Sequence, residues 1–158
     1  MHRTVRVLII DDHAIIREIV GQLLEMEQDL QVVGKGVNAD EAVVLTDRLQ
    51  PDVVVLDLRM PGKSGIDVLG DIQRRHPQVR IIIYTSLIDP ETTRKALHAG
   101  AVACLLKTDS LATLVEAIRS TSVDHLPQHV GNATNAASPK SVWPAMQMPS
   151  QAIPSLAS

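Results

Sequence analysis

The stretch Val53–Gly62 reads VVVLDLRMPG. Four apolar residues, three of them β-branched, run into one carboxylate at Asp57, and Arg59, Met60, Pro61 and Gly62 follow. β-Branched residues suit a pleated, packed surface. A run with no polar alternation reads as a strand covered on both faces, which helices around a parallel sheet provide. Pro-Gly is turn chemistry, so the acid stands at the exit of the strand. One Asp there does not by itself distinguish a helix cap from a site.

Working outward, Val5–Ile10 (VRVLII), Arg80–Tyr84 (RIIIY) and Val102–Leu106 (VACLL) are further strand candidates, with a weaker one at Leu30–Val33. Helix-period segments separate them. Residues 14–26 place Ile16, Ile19, Val20, Leu23 and Leu24 on one face. Asn38 with Glu41 three residues on has capping-box spacing. A third helix opens near Gly65 and carries Ile66, Leu69 and Ile72 on one side. Asp89-Pro90-Glu91 is a cap followed by Pro at the first helical position, Gly100 closes that helix, and Ala96 and Leu97 are its few apolar anchors. Ser110 starts a fifth helix presenting Leu111, Leu114, Val115 and Ile118. GKG at 34–36 lacks the second glycine and Lys-Ser/Thr pair of a phosphate loop and reads as the turn after the weak strand. Strands alternating with helices give a doubly wound α/β domain.

Composition narrows the classes. The 158 residues suffice for one domain with a sizeable core, and the net charge of −3 without like-charge blocks makes no electrostatic case for nucleic acid or anionic lipid. Apolar runs fall far short of the roughly 20 residues of a membrane helix. MHRTVRVLIIDDH fits no cleavable signal. A single cysteine, Cys104, excludes an internal disulfide and suits a reducing cytoplasm. With no Phe, one Tyr and one Trp, the core must be aliphatic. The domain is expected over residues 1–122. Residues 123–158, rich in Pro, Ala and Ser and without apolar period, read as a disordered tail or linker remnant.

Ligands of open α/β sheets collect at the carboxyl ends of the strands. Just past the strong candidates stand Asp11-Asp12, Asp57, Thr85-Ser86 and Lys107. Three clustered carboxylates repel one another unless a cation lies among them. All-oxygen ligation with few protein ligands suits Mg²⁺, which keeps waters and shares phosphates. Asp is a competent nucleophile that gives an acyl phosphate. Mg²⁺ and a Lys neutralise transferring oxygens, and a Thr hydroxyl can hydrogen-bond a phosphoryl oxygen. His13 is not expected as a ligand, because hard Mg²⁺ prefers oxygen.

The order IIDDH, VVVLDLRMPGKSG, IIIYTS, AGAVACLLK resembles the receiver domain of bacterial two-component response regulators, over residues 4 to about 121. That resemblance implies a flavodoxin-like (βα)5 receiver fold with a five-stranded parallel sheet. It also implies Mg²⁺-dependent phosphorylation of Asp57 by a histidine kinase. Asp11 and Asp12 match the metal-binding acid pair, with Asp12 the direct ligand, and the Arg59 backbone carbonyl completes the metal site with Asp57. Thr85 matches the switch hydroxyl and Lys107 the phosphate-contacting lysine. DDHAIIRE, EMEQDLQVVG and LVEAIRS resemble the NarL/LuxR-type subclass, whose receivers precede a helix-turn-helix domain. HLPQHV at 125–130 resembles that subclass's linker, but nothing after Val130 supplies two periodic helices. DNA binding by this chain alone is therefore not expected.

Some positions depart from the family. Cys104 stands where an aromatic switch residue is usual, and Lys107-Thr108 lacks the usual Pro. Arg59 and Leu87 flank the approach of an attacking water and neither orients it, so self-dephosphorylation is expected to be slow. A short, weakly anchored fourth helix fits a surface that moves when Thr85 engages phosphate. The expectation is a cytoplasmic phosphoacceptor, not an enzyme, signalling through a protein surface or a phosphorylation-dependent homodimer. The alternatives are a phosphate sink, onward phosphotransfer to a histidine phosphotransferase, or a truncated LuxR-type transcriptional regulator. An aspartate-nucleophile phosphatase of the haloacid-dehalogenase type wants a second Asp where Arg59 stands. A flavin binder would have its phosphate repelled by Asp11-Asp12.

Overall fold

Val53–Leu56 forms β3, the central strand of a five-stranded sheet, in a computed structural model that describes residues 3–121. The other strands are β1 (Val5–Ile10), β2 (Leu30–Gly36), β4 (Arg80–Thr85) and β5 (Ala101–Leu106). The helices are α1 (Ala14–Glu25), α2 (Ala39–Leu49), α3 (Gly65–Arg75), α4 (Pro90–His98) and α5 (Leu111–Thr121). All neighbouring strands are parallel, in the order β2-β1-β3-β4-β5. This is the flavodoxin-like receiver architecture. The chain passes to one side of β1 for β2 and to the other for β3, so the strand order reverses between β1 and β3. In such sheets that reversal opens the ligand crevice.

The missing alternation of β3 has a direct cause. Leu8, Ile10, Val54, Leu56, Ile81 and Ile83 pack with Ala39 and Ala42 of α2, Val68, Leu69 and Ile72 of α3, and Ala96 of α4. Their sheet neighbours Val7, Ile9, Val53, Val55 and Ile82 point the other way and are as deeply buried. Val20 and Leu24 of α1 and Leu114, Val115, Ala117 and Ile118 of α5 are buried too, and α1 and α5 touch. Each fully buried Val, Leu or Ile contributes about 1.5–3 kcal/mol of transfer free energy. An aliphatic core without Phe is sufficient because both faces of the sheet are used.

Helix boundaries follow from side-chain caps. Asn38 Oδ1 accepts the Glu41 N–H at 2.9 Å, and Glu41 Oε2 accepts the Val37 N–H at 2.8 Å. Asp89 Oδ1 accepts the Thr92 N–H at 2.9 Å ahead of Pro90. Gly100 ends α4 at φ +115, a conformation L side chains rarely adopt.

Three sequence expectations need correction. GKG is the end of β2 and not a turn: Gly34 pairs with Leu8 and Gly36 with Ile10. A Cβ at Gly34 would lie 2.5 Å from Leu49 Cδ1, and one at Gly36 2.6 Å from Ile10 Cδ1, so the glycines admit close packing over the strand. On α1, Val20 and Leu24 face the core, while Ile19 and Leu23 are 47% and 36% exposed. The buried face of α1 is therefore narrower than the predicted stripe. On α4, Ala96 is the buried residue and Leu97 is exposed, leaving that helix with one anchor where two were expected.

The boundary near residue 122, the tail and the linker-like HLPQHV lie outside the described residues. Among the described residues no helix is long and apolar enough to cross a membrane.

Candidate functional site

Parallel pairing carries three acids and a lysine to one edge, and the hydrogen-bond ladder extends past the strands to hold them there. The Asp11 N–H donates to Gly36 O at 3.1 Å, the Asp57 N–H to Ile10 O at 2.9 Å, and the Lys107 N–H to Thr85 O at 2.9 Å. Each of these site residues is thus a sheet residue in its backbone and a loop residue only in its side chain. Asp57, Asp11 and Thr85 are buried. Buried carboxylates are costly unless paired and hydrogen-bonded.

Lys107 supplies the pairing. Its Nζ lies 2.6 Å from Asp11 Oδ2 and 2.8 Å from Asp57 Oδ2, with the side chain only 8% exposed. Burial pulls the lysine pKa down, but the hydrogen bonds it donates to Asp11 and Asp57, with their negative charge, outweigh it, and the net shift is upward. The ammonium is therefore a fixed charge at neutral pH. The second oxygens of the two acids are held by turns: Asp11 Oδ1 accepts the His13 N–H at 2.8 Å, and Asp57 Oδ1 accepts the Arg59 N–H at 2.9 Å.

Two polar atoms at this edge have no such partner. Asp12 Oδ1 and Thr85 Oγ1 are buried and make no hydrogen bond. An unsatisfied buried polar atom costs about 1–3 kcal/mol, so a pair of them in one locality points to a ligand that completes the site. Three carboxylates against one ammonium leave a double negative charge. Ligand atoms of Asp11, Asp12, His13 and Asp57 all lie within 4.8 Å of one another. This oxygen-rich, doubly charged cluster fits a hard divalent cation.

Asp11, Asp12, Asp57 and Lys107 are thus brought together as the sequence predicts, and Thr85 joins them through the backbone of Lys107. Arg59 enters through its N–H on Asp57, while its side chain is exposed. Arg59 and Leu87 line one cavity of about 220 Å³ between the β3–α3 and β4–α4 loops, with Ser64, Asp89 and Thr92. Cys104, on the edge strand β5, pairs with Ile83 and is partly buried, which pushes its thiol up to about 11.

Two further residues stand against the acid pair. His13 Nδ1 lies 3.1 Å from both Asp11 Oδ1 and Asp12 Oδ1. Arg17 donates from Nη1 to Asp11 O at 2.7 Å and tethers the acid pair to α1. Its position one helical turn after His13 was the available signal.

The family model for the response regulator receiver domain matches residues 7–119. Response regulator protein VraR of Staphylococcus aureus is 34% identical over 119 residues, which are 75% of this chain and 57% of that protein. The chain therefore spans little more than half the length of that relative. A LuxR-family two-component response regulator from Aurantimonas sp. SI85-9A1 superposes with a TM-score of 0.72 at 34% identity, covering 77% of this chain and 92% of the other. The response regulator domain of Thermotoga maritima CheB gives 0.71 at 32% identity over 75% and 96%. With acids after β1 and β3, a lysine after β5 and a sheet of matching order, the chain belongs to the response regulator receiver domain family.

Proposed function

We propose that the chain is the phosphoacceptor of a two-component relay, with Asp57 taking the phosphoryl group of a histidine kinase. One observation carries this reading. Lys107 bridges Asp57 and Asp11 while the buried Asp12 Oδ1 and Thr85 Oγ1 make no hydrogen bond. A site built only for stability would have satisfied those two atoms.

Asp57 attacks phosphorus through a carboxylate oxygen. The P–N bond of the phosphohistidine breaks, an O–P bond forms, and the imidazole leaves with a proton. Lys107 is placed to follow the charge from the carboxylate to the phosphoryl oxygens. The Arg59 N–H keeps the other carboxylate oxygen oriented. Thr85 Oγ1 gains an acceptor in the phosphoryl group, and β4 with the singly anchored α4 can respond. Mg²⁺ fits beside Asp12 and Asp57, with the Arg59 carbonyl and Asp11 in support. When bound, it neutralises charge on the transferring oxygens. The product is a cytoplasmic signal read by a protein surface or by a second copy. The transcriptional output of LuxR-type relatives belongs to the whole regulator, not to residues 3–121.

The test uses phosphoramidate, a small P–N donor, with Mg²⁺, followed by borohydride reduction and peptide mapping of the full chain. The reduced acyl phosphate is expected at Asp57. No product, or a product mapped to another residue, would overturn the assignment.

A further inference from the structure

His13 is the N-cap of α1, but its side chain caps nothing. Its Nδ1 instead faces the acid pocket, 3.1 Å from Asp11 Oδ1, 3.1 Å from Asp12 Oδ1 and 3.8 Å from Asp57 Oδ2. A proton on Nδ1 can serve one of these oxygens at a time, and Asp12 Oδ1 is the one left without a hydrogen bond. A cation serves them together. Ligands about 2.1 Å from one ion sit about 3.0 Å apart at octahedral angles and about 3.4 Å apart at tetrahedral ones. The two 3.1 Å separations fall between those values, and the 3.8 Å separation to Asp57 Oδ2 lies slightly beyond them.

We infer that His13 is a nitrogen ligand that opens this pocket to borderline divalent cations of the Zn²⁺, Ni²⁺ and Cu²⁺ class. It acts with Asp12 and Asp57, so that one side chain sets which metal the site prefers. This rests on the metal-dependent acceptor reading and adds a selectivity to it. Imidazole suits Zn²⁺, Ni²⁺ and Cu²⁺, whereas Mg²⁺ keeps to oxygen and water. The same pocket therefore offers two ligand sets. The carboxylates alone serve the hard cation; the carboxylates and Nδ1 serve the borderline one. Lys107 Nζ stands 3.4 Å from Nδ1 and carries only donors, so it can meet that nitrogen only through the lone pair a metal would also use. The His13 side chain is 55% exposed, so an ion can reach it from solvent without unfolding the edge.

The experiment compares Ni²⁺ and Mg²⁺ affinities by calorimetry on the full chain, for wild type, His13→Gln, His13→Ala and Asp12→Asn. Cu²⁺ electron paramagnetic resonance adds a direct reading of nitrogen ligation. The Ni²⁺-to-Mg²⁺ affinity ratio is expected to fall about tenfold or more in both His13 variants. The nitrogen hyperfine pattern of wild-type Cu²⁺ should be lost in them. An unchanged ratio, or nitrogen coupling that persists without His13, overturns the inference while leaving Mg²⁺ binding and the acceptor reading intact. Failure of wild type to bind Mg²⁺, with Ni²⁺ still held through His13, would instead sink the acceptor reading and keep the inference. Circular dichroism of the His13 variants guards against a folding artefact, and their agreement with each other guards against one created by a single replacement.

Discussion

Lys107 reaches across 50 residues of sequence to donate to Asp57 Oδ2 at 2.8 Å, which makes the exit of β5 the electrostatic partner of the exit of β3. Neither group is stable alone at that depth, since an uncompensated buried charge is costly. Lys107→Met is expected to slow phosphorylation from a small-molecule donor about 10²-fold, the scale of losing one preorganised charge-stabilising donor. In the absence of divalent cation it should also lower stability by about 3–5 kcal/mol. Initial rates and urea melts check the two effects separately.

The cavity shared by Arg59 and Leu87 is lined from the two loops that follow Asp57 and Thr85, so we propose it as the entry for water toward a phosphorylated Asp57. Leu87 is 58% exposed and has no group to orient that water. The phosphorylated chain should lose its phosphate over minutes or longer. Leu87→Asn, which adds a hydrogen-bonding group at the cavity, should speed release about tenfold. A phosphate-release assay reads both. A wild-type half-life of seconds would contradict the account of this cavity.

Gly65 opens α3 against the backbone that carries the acceptor. A Cβ there would stand 2.6 Å from Leu58 Cα and 2.9 Å from Leu58 O. Backbone cannot swing aside as a side-chain tip can. Gly65→Ala is expected to cost about 1–3 kcal/mol in a urea titration, as overpacking does. Because Leu58 follows Asp57, the same change should also slow phosphorylation.

Burial pushes the Cys104 thiol up to about 11. At pH 8 only about a thousandth of it is thiolate in the fold, against roughly a quarter in an unfolded chain. Alkylation of the native protein should therefore run on the order of 10²-fold slower than in denaturant. The fold favours the neutral thiol, so this stabilisation is fully present below the ordinary thiol pKa and is lost as pH rises towards 11. Rapid native labelling at pH 8 would show that β5 is open at this point.

Much of this was legible in the residues, for identifiable reasons. The unbroken apolar run of Val53–Leu56 states two covered faces directly, and Asn38, Asp89 and Gly100 mark helix ends with local chemistry. Asp11, Asp12, Asp57 and Lys107 could be gathered because a parallel sheet sends every strand exit to one edge. The failures share a different character. Gly34 and Gly36 resemble a turn until Leu49 and Ile10 are seen to occupy the space a Cβ would need. The face of α1 depends on its tilt over the sheet, which no period in the sequence contains. The nearness of His13 to the acids was not legible either, because it depends on the turn that brings its N–H to Asp11 Oδ1.

Everything proposed for this site depends on Asp57 being a metal-dependent phosphoryl acceptor. Intact mass after incubation with acetyl phosphate tests it most directly. With Mg²⁺ the wild-type chain should gain about 80 Da, one phosphoryl group; Asp57→Asn should gain nothing, and chelation should abolish the gain. An adduct that persists in Asp57→Asn, or a wild-type chain that binds Mg²⁺ and stays unmodified, would contradict the account.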